Sequence, residues 1–118
     1  MSISTNAFKG CSKLTTLILP SCTYIAAAGF SSCIGLTTIS LPECSYIGTT
    51  AFYGCASLTA LNLPKCSYVG ASAFRGCTNI TTISLPNCSY IGTSGFASCT
   101  SLTSAILPAC KTIYGTAF

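Results

Sequence analysis

The chain has 118 residues with five Lys plus Arg, one acidic residue, no His, no Trp and ten Cys, for a formal net charge of +4. Only 5% of it is charged and half is apolar, whereas a soluble domain normally carries about a quarter charged residues. This excludes intrinsic disorder, and the length allows one domain with a modest core and no second domain. Met1 to Gly10 has neither a basic n-region nor an apolar h-region, so no secretory leader is expected within the chain. Ser and Thr interrupt every apolar run before the roughly 18 residues a spanning helix needs, so no membrane span is expected. Lys9, Lys13, Lys65, Arg75 and Lys111 are scattered, which argues against nucleic acid as a partner.

A period of 22 runs through the chain, with repeats beginning at Cys11, Cys33, Cys55, Cys77 and Cys99 after a half repeat over residues 1–10. Each repeat reads C-x-x-L-T-x-x-x-L-P-x-C-x-x-I-x-x-x-[AG]-F-x-x. Such a period means stacked units in one array, and the expectation is a single solenoid over residues 1–118. In chain order, the first apolar column is Leu14, Leu36, Leu58, Ile80 and Leu102. Leu17, Ile39, Leu61, Ile83 and Ala105 follow, then Leu19, Leu41, Leu63, Leu85 and Leu107 two residues later. That alternation predicts a short strand with one face inward. Pro20, Pro42, Pro64, Pro86 and Pro108 end it, since proline lacks the ladder N–H. Next come Ile25, Ile47, Val69, Ile91 and Ile113, and then all six Phe of the protein in one file, Phe8, Phe30, Phe52, Phe74, Phe96 and Phe118. A small residue precedes each Phe (Ala7, Gly29, Ala51, Ala73, Gly95, Ala117), as close approach of neighbouring turns requires. Gly48, Gly70 and Gly92 predict a bend, which Ala26 and Tyr114 interrupt at the two ends.

These residues, for example Leu36 to Pro42 with Ile47, Gly48, Ala51, Phe52 and Cys55, resemble the BspA-like class of leucine-rich repeats. The resemblance implies a right-handed solenoid with a short parallel sheet on one face and irregular or short helical turns on the other. It also implies an extracellular or cell-surface setting and a role in adhesion and protein contacts.

The ten Cys form two files, Cys11, Cys33, Cys55, Cys77 and Cys99, and Cys22, Cys44, Cys66, Cys88 and Cys110. Pairing inside a file of five leaves one thiol over, and in-register side chains pointing the same way suit disulfide geometry poorly. Small buried hydrophobes in two ladders are the expectation. No two Cys lie closer than 11 residues and there is no His, so neither a metal site nor any cofactor is expected. Glu43 is the one side-chain carboxylate, which leaves no base to activate a nucleophile. The chain reads as a non-enzyme.

Thr16 and Ile18, Thr38 and Ser40, Ala60 and Asn62, Thr82 and Ser84, and Ser104 and Ile106 are the expected outward strand positions. They form a flat, mostly polar face without the Trp, Tyr and Arg of binding hot spots. Tyr24, Tyr46, Tyr68 and Tyr90 form a file on the far side that Thr112 ends, a candidate surface for a host or surface protein or a glycan. Thr15, Thr37, Thr59, Thr81 and Thr103 form a further ladder, which reads as β-forming residues.

Neither end carries the polar outer face of a capping repeat. Ile3, Ala7 and Phe8 at one end, and Ile106, Ile113 and Phe118 at the other, are core-type positions. The expected function is therefore a structural protein that associates with itself head-to-tail, with an adhesin module, or a fragment of a longer array, as the alternative. Six back halves against five strands would leave one strand position vacant at each junction.

Overall fold

A computed structural model describes residues 1–118. Each repeat closes one coil, and two parallel ladders run along the stack, one on each side. The front ladder holds β2 (Thr16–Ile18), β4 (Thr38–Ser40), β6 (Ala60–Asn62), β8 (Thr82–Ser84) and β10 (Ser104–Ile106). The back ladder holds β1 (Ser2–Ile3), β3 (Tyr24–Ile25), β5 (Tyr46–Ile47), β7 (Tyr68–Val69), β9 (Tyr90–Ile91) and β11 (Thr112–Ile113). Every paired residue faces its counterpart one repeat away, as in Leu17 with Ile39 and Tyr46 with Tyr68.

The back face carries short strands and irregular turns, without the helical turns that were the other expectation. It is a continuous six-stranded parallel sheet of two-residue strands, and no helix forms anywhere in the chain. Backbone hydrogen bonding explains why. Along residues 50–55 successive amides alternate in direction. Thr50, Phe52 and Gly54 donate to Ala71, Phe74's neighbour Ala73 and Arg75 in the next coil, while Ala51, Tyr53 and Cys55 donate three residues back. A helix would need every amide for itself. The alternation is shaped by left-handed residues four apart, at Asn6, Ala28, Thr50, Ser72, Ser94 and Thr116, and at Gly10, Ser32, Gly54, Gly76 and Ser98.

The interior is a dry sandwich of files. Phe30, Phe52, Phe74 and Phe96 are essentially fully buried, and the six Phe rings stack at 5.1–5.5 Å. Burial of each such ring is worth about 1.5–3 kcal/mol, and stacking adds about 0.5–1.5 kcal/mol per pair. Gly48, Gly70 and Gly92 do not make the expected bend. A Cβ at Gly70 would lie 2.7 Å from the Thr49 nitrogen and 2.8 Å from the Gly48 carbonyl carbon, so these glycines are required by contact between coils.

The front ladder is divided. β2 pairs with β4, and β6, β8 and β10 pair in turn, but no backbone hydrogen bond joins β4 to β6. Thr37, Thr81 and Thr103 each donate both amide and hydroxyl to the threonine carbonyl one coil back, whereas Thr59 does neither. Leu41 likewise lacks the bond that Leu19, Leu63 and Leu85 make to the following coil. The back ladder crosses the same point intact through β5 and β7. Nothing in the structure explains the seam.

Two outcomes follow. The amides of Thr59 and Leu41 exchange with solvent at least tenfold faster than those of Thr81 and Leu85 in hydrogen exchange followed by NMR. Gly70→Ala lowers stability in urea denaturation by about 1–3 kcal/mol, the range for forced overpacking.

Candidate functional site

Three surfaces carry the residues singled out by the sequence. On the back sheet the side chains alternate. Ile25, Ile47, Val69 and Ile91 point in and are fully buried, which turns Tyr24, Tyr46, Tyr68 and Tyr90 outward. The tyrosine rings stack nearly parallel at 4.5–4.7 Å, with only the terminal Tyr24 substantially open at 42%. Ring faces are thus used against one another, and edges and hydroxyls face solvent. At the other end Tyr114 leans over Tyr90 at 5.3 Å with a 55° tilt, in place of the ring that Thr112 does not supply.

On the front sheet Thr16, Thr38, Ala60, Asn62, Thr82 and Ser104 are exposed as expected, with Ile18 and Ile106 at the opposite ends. The threonine hydroxyls of Thr37, Thr81 and Thr103 are committed to inter-coil carbonyls and are not an array free for solvent. Exposed Ile34 and Tyr53 were not marked by the sequence reading. The signal available was a large residue in an otherwise small or polar column, Ile34 among Ser12, Ala56, Thr78 and Thr100.

The ten thiols are free. Cys33, Cys55, Cys77 and Cys99 donate to the carbonyls of Phe8, Phe30, Phe52 and Phe74, and Cys22, Cys44, Cys66, Cys88 and Cys110 donate to a carbonyl two residues on. Cys11 at the first coil is exposed, and Cys99 and Cys110 at the last are half-buried. Burial pushes Cys44 up to about 11, Cys55 to about 12 and Cys99 to about 11 from the ordinary 9.0, and raises Cys77 as well. The neighbouring Cys88 thiol, together with burial, raises Cys66. Glu43 accepts from Lys65 Nζ at 2.7 Å on the surface of the next coil, an exposed pair of small energetic weight.

The ends are open. At the first coil Phe8 covers Phe30 and is itself 42% exposed, Ile3 is nearly buried, and Ala7 lies exposed beside Phe8. At the last coil Ile106, Ile113 and Phe118 are 50–55% exposed while Ala117 is buried. Beside Phe118 lies a notch of about 280 Å³ lined by Phe96, Ser98, Cys99, Thr100, Leu102 and Phe118. No helix is long and apolar enough to cross a membrane.

Stacked 22-residue coils with parallel ladders, an internal leucine and phenylalanine core and proline-ended front strands define a leucine-rich-repeat solenoid. The chain belongs to the BspA type leucine rich repeat region family, which it matches over residues 1–118 in 6 copies. A leucine rich cell surface protein from Faecalibacterium prausnitzii is similar in structure, with a TM-score of 0.83 and 27% identity over 90% of this chain. A T. pallidum leucine rich repeat protein has a TM-score of 0.63 and 23% identity over 90% of this chain, and shares the fold. The chain spans 29% of the first protein and 62% of the second. No curated protein matches it.

The raised thiols set a pH dependence. Their protons are held in the folded state and released at about 9.0 in the unfolded one, so above that value the unfolded chain binds fewer protons and stability falls as pH rises. The melting temperature stays level from pH 6 to 8 and drops between pH 9 and about 12. Calorimetry in reductant measures it, and a variant with Cys44, Cys55 and Cys99 replaced by Ala flattens the drop.

Proposed function

We propose that the chain is a non-enzymatic scaffold of the cell-surface kind that associates with itself head-to-tail through its open ends. The observation that carries this is the complementarity of the two ends. β1 and β11 are the opposite free edges of one parallel sheet, and Phe8 and Phe118 are the opposite faces of one phenylalanine stack. The back-sheet edge that β11 offers is of the kind β9 offers to β11, while the front, with five strands against six, keeps one strand position vacant at the junction. Contacts of this head-to-tail type propagate unless a rotation closes them, and exposed parallel edges with an apolar flank invite pairing. A net charge of +4 spread over scattered positions opposes stacking little.

The surface location rests on the family and on the 27% identical neighbour being a cell surface protein. The alternative, an adhesin face made by Tyr24, Tyr46, Tyr68 and Tyr90, has weaker support. A sugar ring stacks on an open aromatic face, and those faces are occupied by the neighbouring tyrosines at 4.5–4.7 Å.

Sedimentation velocity across a hundredfold concentration range tests the reading. The wild-type chain shifts from its 12.1 kDa monomer to larger species, and Phe8→Lys needs at least tenfold more protein for the same shift while its far-UV circular dichroism is unchanged. A Phe8→Lys chain that assembles like the wild type sinks the proposal.

A further inference from the structure

We propose that the edge of the stack formed by the turns between back and front strands is a docking surface for an acidic, extended peptide segment of a partner protein. The segment it fits reads acid-x-apolar-x-acid. This surface uses neither the ends of the stack nor the tyrosine file.

Each coil has two turns, and the fold sorts the charges between them. The short turn after each proline leads from a front strand to a back strand and carries Glu43, Lys65 and Lys111. Glu43 and Lys65 pair there at 2.7 Å. The longer turn that bears the Phe file leads from a back strand to the next front strand, and it carries Lys9, Lys13 and Arg75 with no acidic residue. Three cations that are scattered in the sequence thus share one edge. All three are exposed, and none engages in an ion pair or a side-chain hydrogen bond.

Two large apolar side chains stand between them. Ile34 is 55% and Tyr53 42% exposed, in turns that have a neighbouring turn on each side. Along the stack, Lys9 and Lys13 lie in the first such turn, Ile34 in the second, Tyr53 in the third and Arg75 in the fourth. Lys9, Tyr53 and Arg75 occupy one repeat position, so at about 4.8 Å per coil Lys9 and Arg75 are about 14 Å apart along the axis. An extended chain rises about 3.3 Å per residue and turns residues i, i+2 and i+4 to one side. Two carboxylates four residues apart therefore span about 13 Å. One meets Lys9 and Lys13 and the other Arg75, while the apolar side chain midway between them lies over Ile34 and Tyr53.

The backbone beneath these contacts is fixed before a partner arrives. Gly10, Ser32 and Gly54, all left-handed, donate to the carbonyls of Ser31, Tyr53 and Arg75 at 2.7–2.8 Å. Ser57 Oγ donates to the Ile34 carbonyl at 2.6 Å. A surface held in this way loses little freedom on binding. Tyr and Arg are also the residue types enriched at binding hot spots, and here Tyr53 and Arg75 stand one coil apart, whereas the front face has neither.

The chemistry narrows the occupant. A second copy of this chain cannot supply it, because the chain has a single side-chain carboxylate and Lys65 already holds it. A polyanionic glycan would answer the cations and leave Ile34 and Tyr53 against a polar chain. An acidic peptide with an apolar residue at the centre answers both.

The experiment titrates the isotope-labelled protein with acetyl-Glu-Ser-Leu-Ser-Glu-amide, followed by NMR. The isomer acetyl-Glu-Glu-Ser-Leu-Ser-amide and a sulfated oligosaccharide serve as competitors for the same edge. The first peptide shifts the amides of Ile34, Tyr53 and Arg75 and half-saturates at a concentration at least about fivefold below that of the isomer. Arg75→Gln and Tyr53→Ser each weaken it about threefold or more. Lys111→Gln, the same charge change on the opposite turn, leaves it unaltered. Absence of shifts up to about 10 mM peptide, equal affinity for the isomer, or an equal loss in Lys111→Gln overturns the proposal. Tighter binding of the oligosaccharide at the same amides, unmoved by Tyr53→Ser, also overturns it and assigns the edge to an anionic glycan.

Discussion

The spacing between hydrogen-bonded parallel strands, about 4.8 Å, governs this molecule more than any single side chain. Two ladders on opposite sides of each coil hold successive coils at that pitch, so every side chain sits directly over its counterpart 22 residues away. Whatever occupies a position must pack against a copy of itself. Phe and Tyr satisfy this as stacked rings, at 5.1–5.5 and 4.5–4.7 Å. Cysteine satisfies it as a small, polarisable group whose thiol bonds a nearby carbonyl. Glycine is demanded at positions 48, 70 and 92 because the pitch brings backbone within Cβ range. The near absence of charge has the same origin, since like charges stacked at this distance repel; the one acid, Glu43, lies a coil away from Lys65.

That constraint also explains what could be read from the amino acids. Period, inward columns, the proline stops and the single phenylalanine file were legible because self-stacking forces them to repeat, and the front strands fall where the Leu-x-Leu alternation places them. The back strands were not, because two residues carry no alternation to detect; Tyr24 and Ile25 are a strand only by virtue of β1 and β5 on either side. The glycines at 48, 70 and 92 were read as bends because sequence does not distinguish a left-handed residue from a close approach. The residues that do take positive φ include Thr50 and Ser72, side chains that avoid that region in isolation. Ladder hydrogen bonds on both sides of each coil hold them there.

The seam between β4 and β6 lay beyond sequence reading for a related reason. Thr59 obeys the repeat, yet it makes neither the amide nor the hydroxyl bond of its equivalents. Position 59 holds the same residue type as positions 15, 37, 81 and 103, so the sequence carries no mark of the junction that departs. In a quasi-one-dimensional array such a weak interface divides the molecule into segments of separate local stability, here two front coils and three, held together by the back ladder and the Phe file.

Perfect repetition has a further consequence at the ends. If every coil were identical, any coil could stack on any other, and neither the length nor the register of an assembly would be defined. Definition has to come from the departures. Thr112 and Tyr114 lie in the last back half coil, Ile18 and Ile106 at the two ends of the front face, and Ala105 in the last front strand. Ala105 leaves its column under-filled, Tyr114 lengthens a ladder bond while its ring leans over Tyr90, and the two isoleucines are exposed. The interior columns hold the coils together, and the residues that depart from the repeat lie where a column is not packed on both sides.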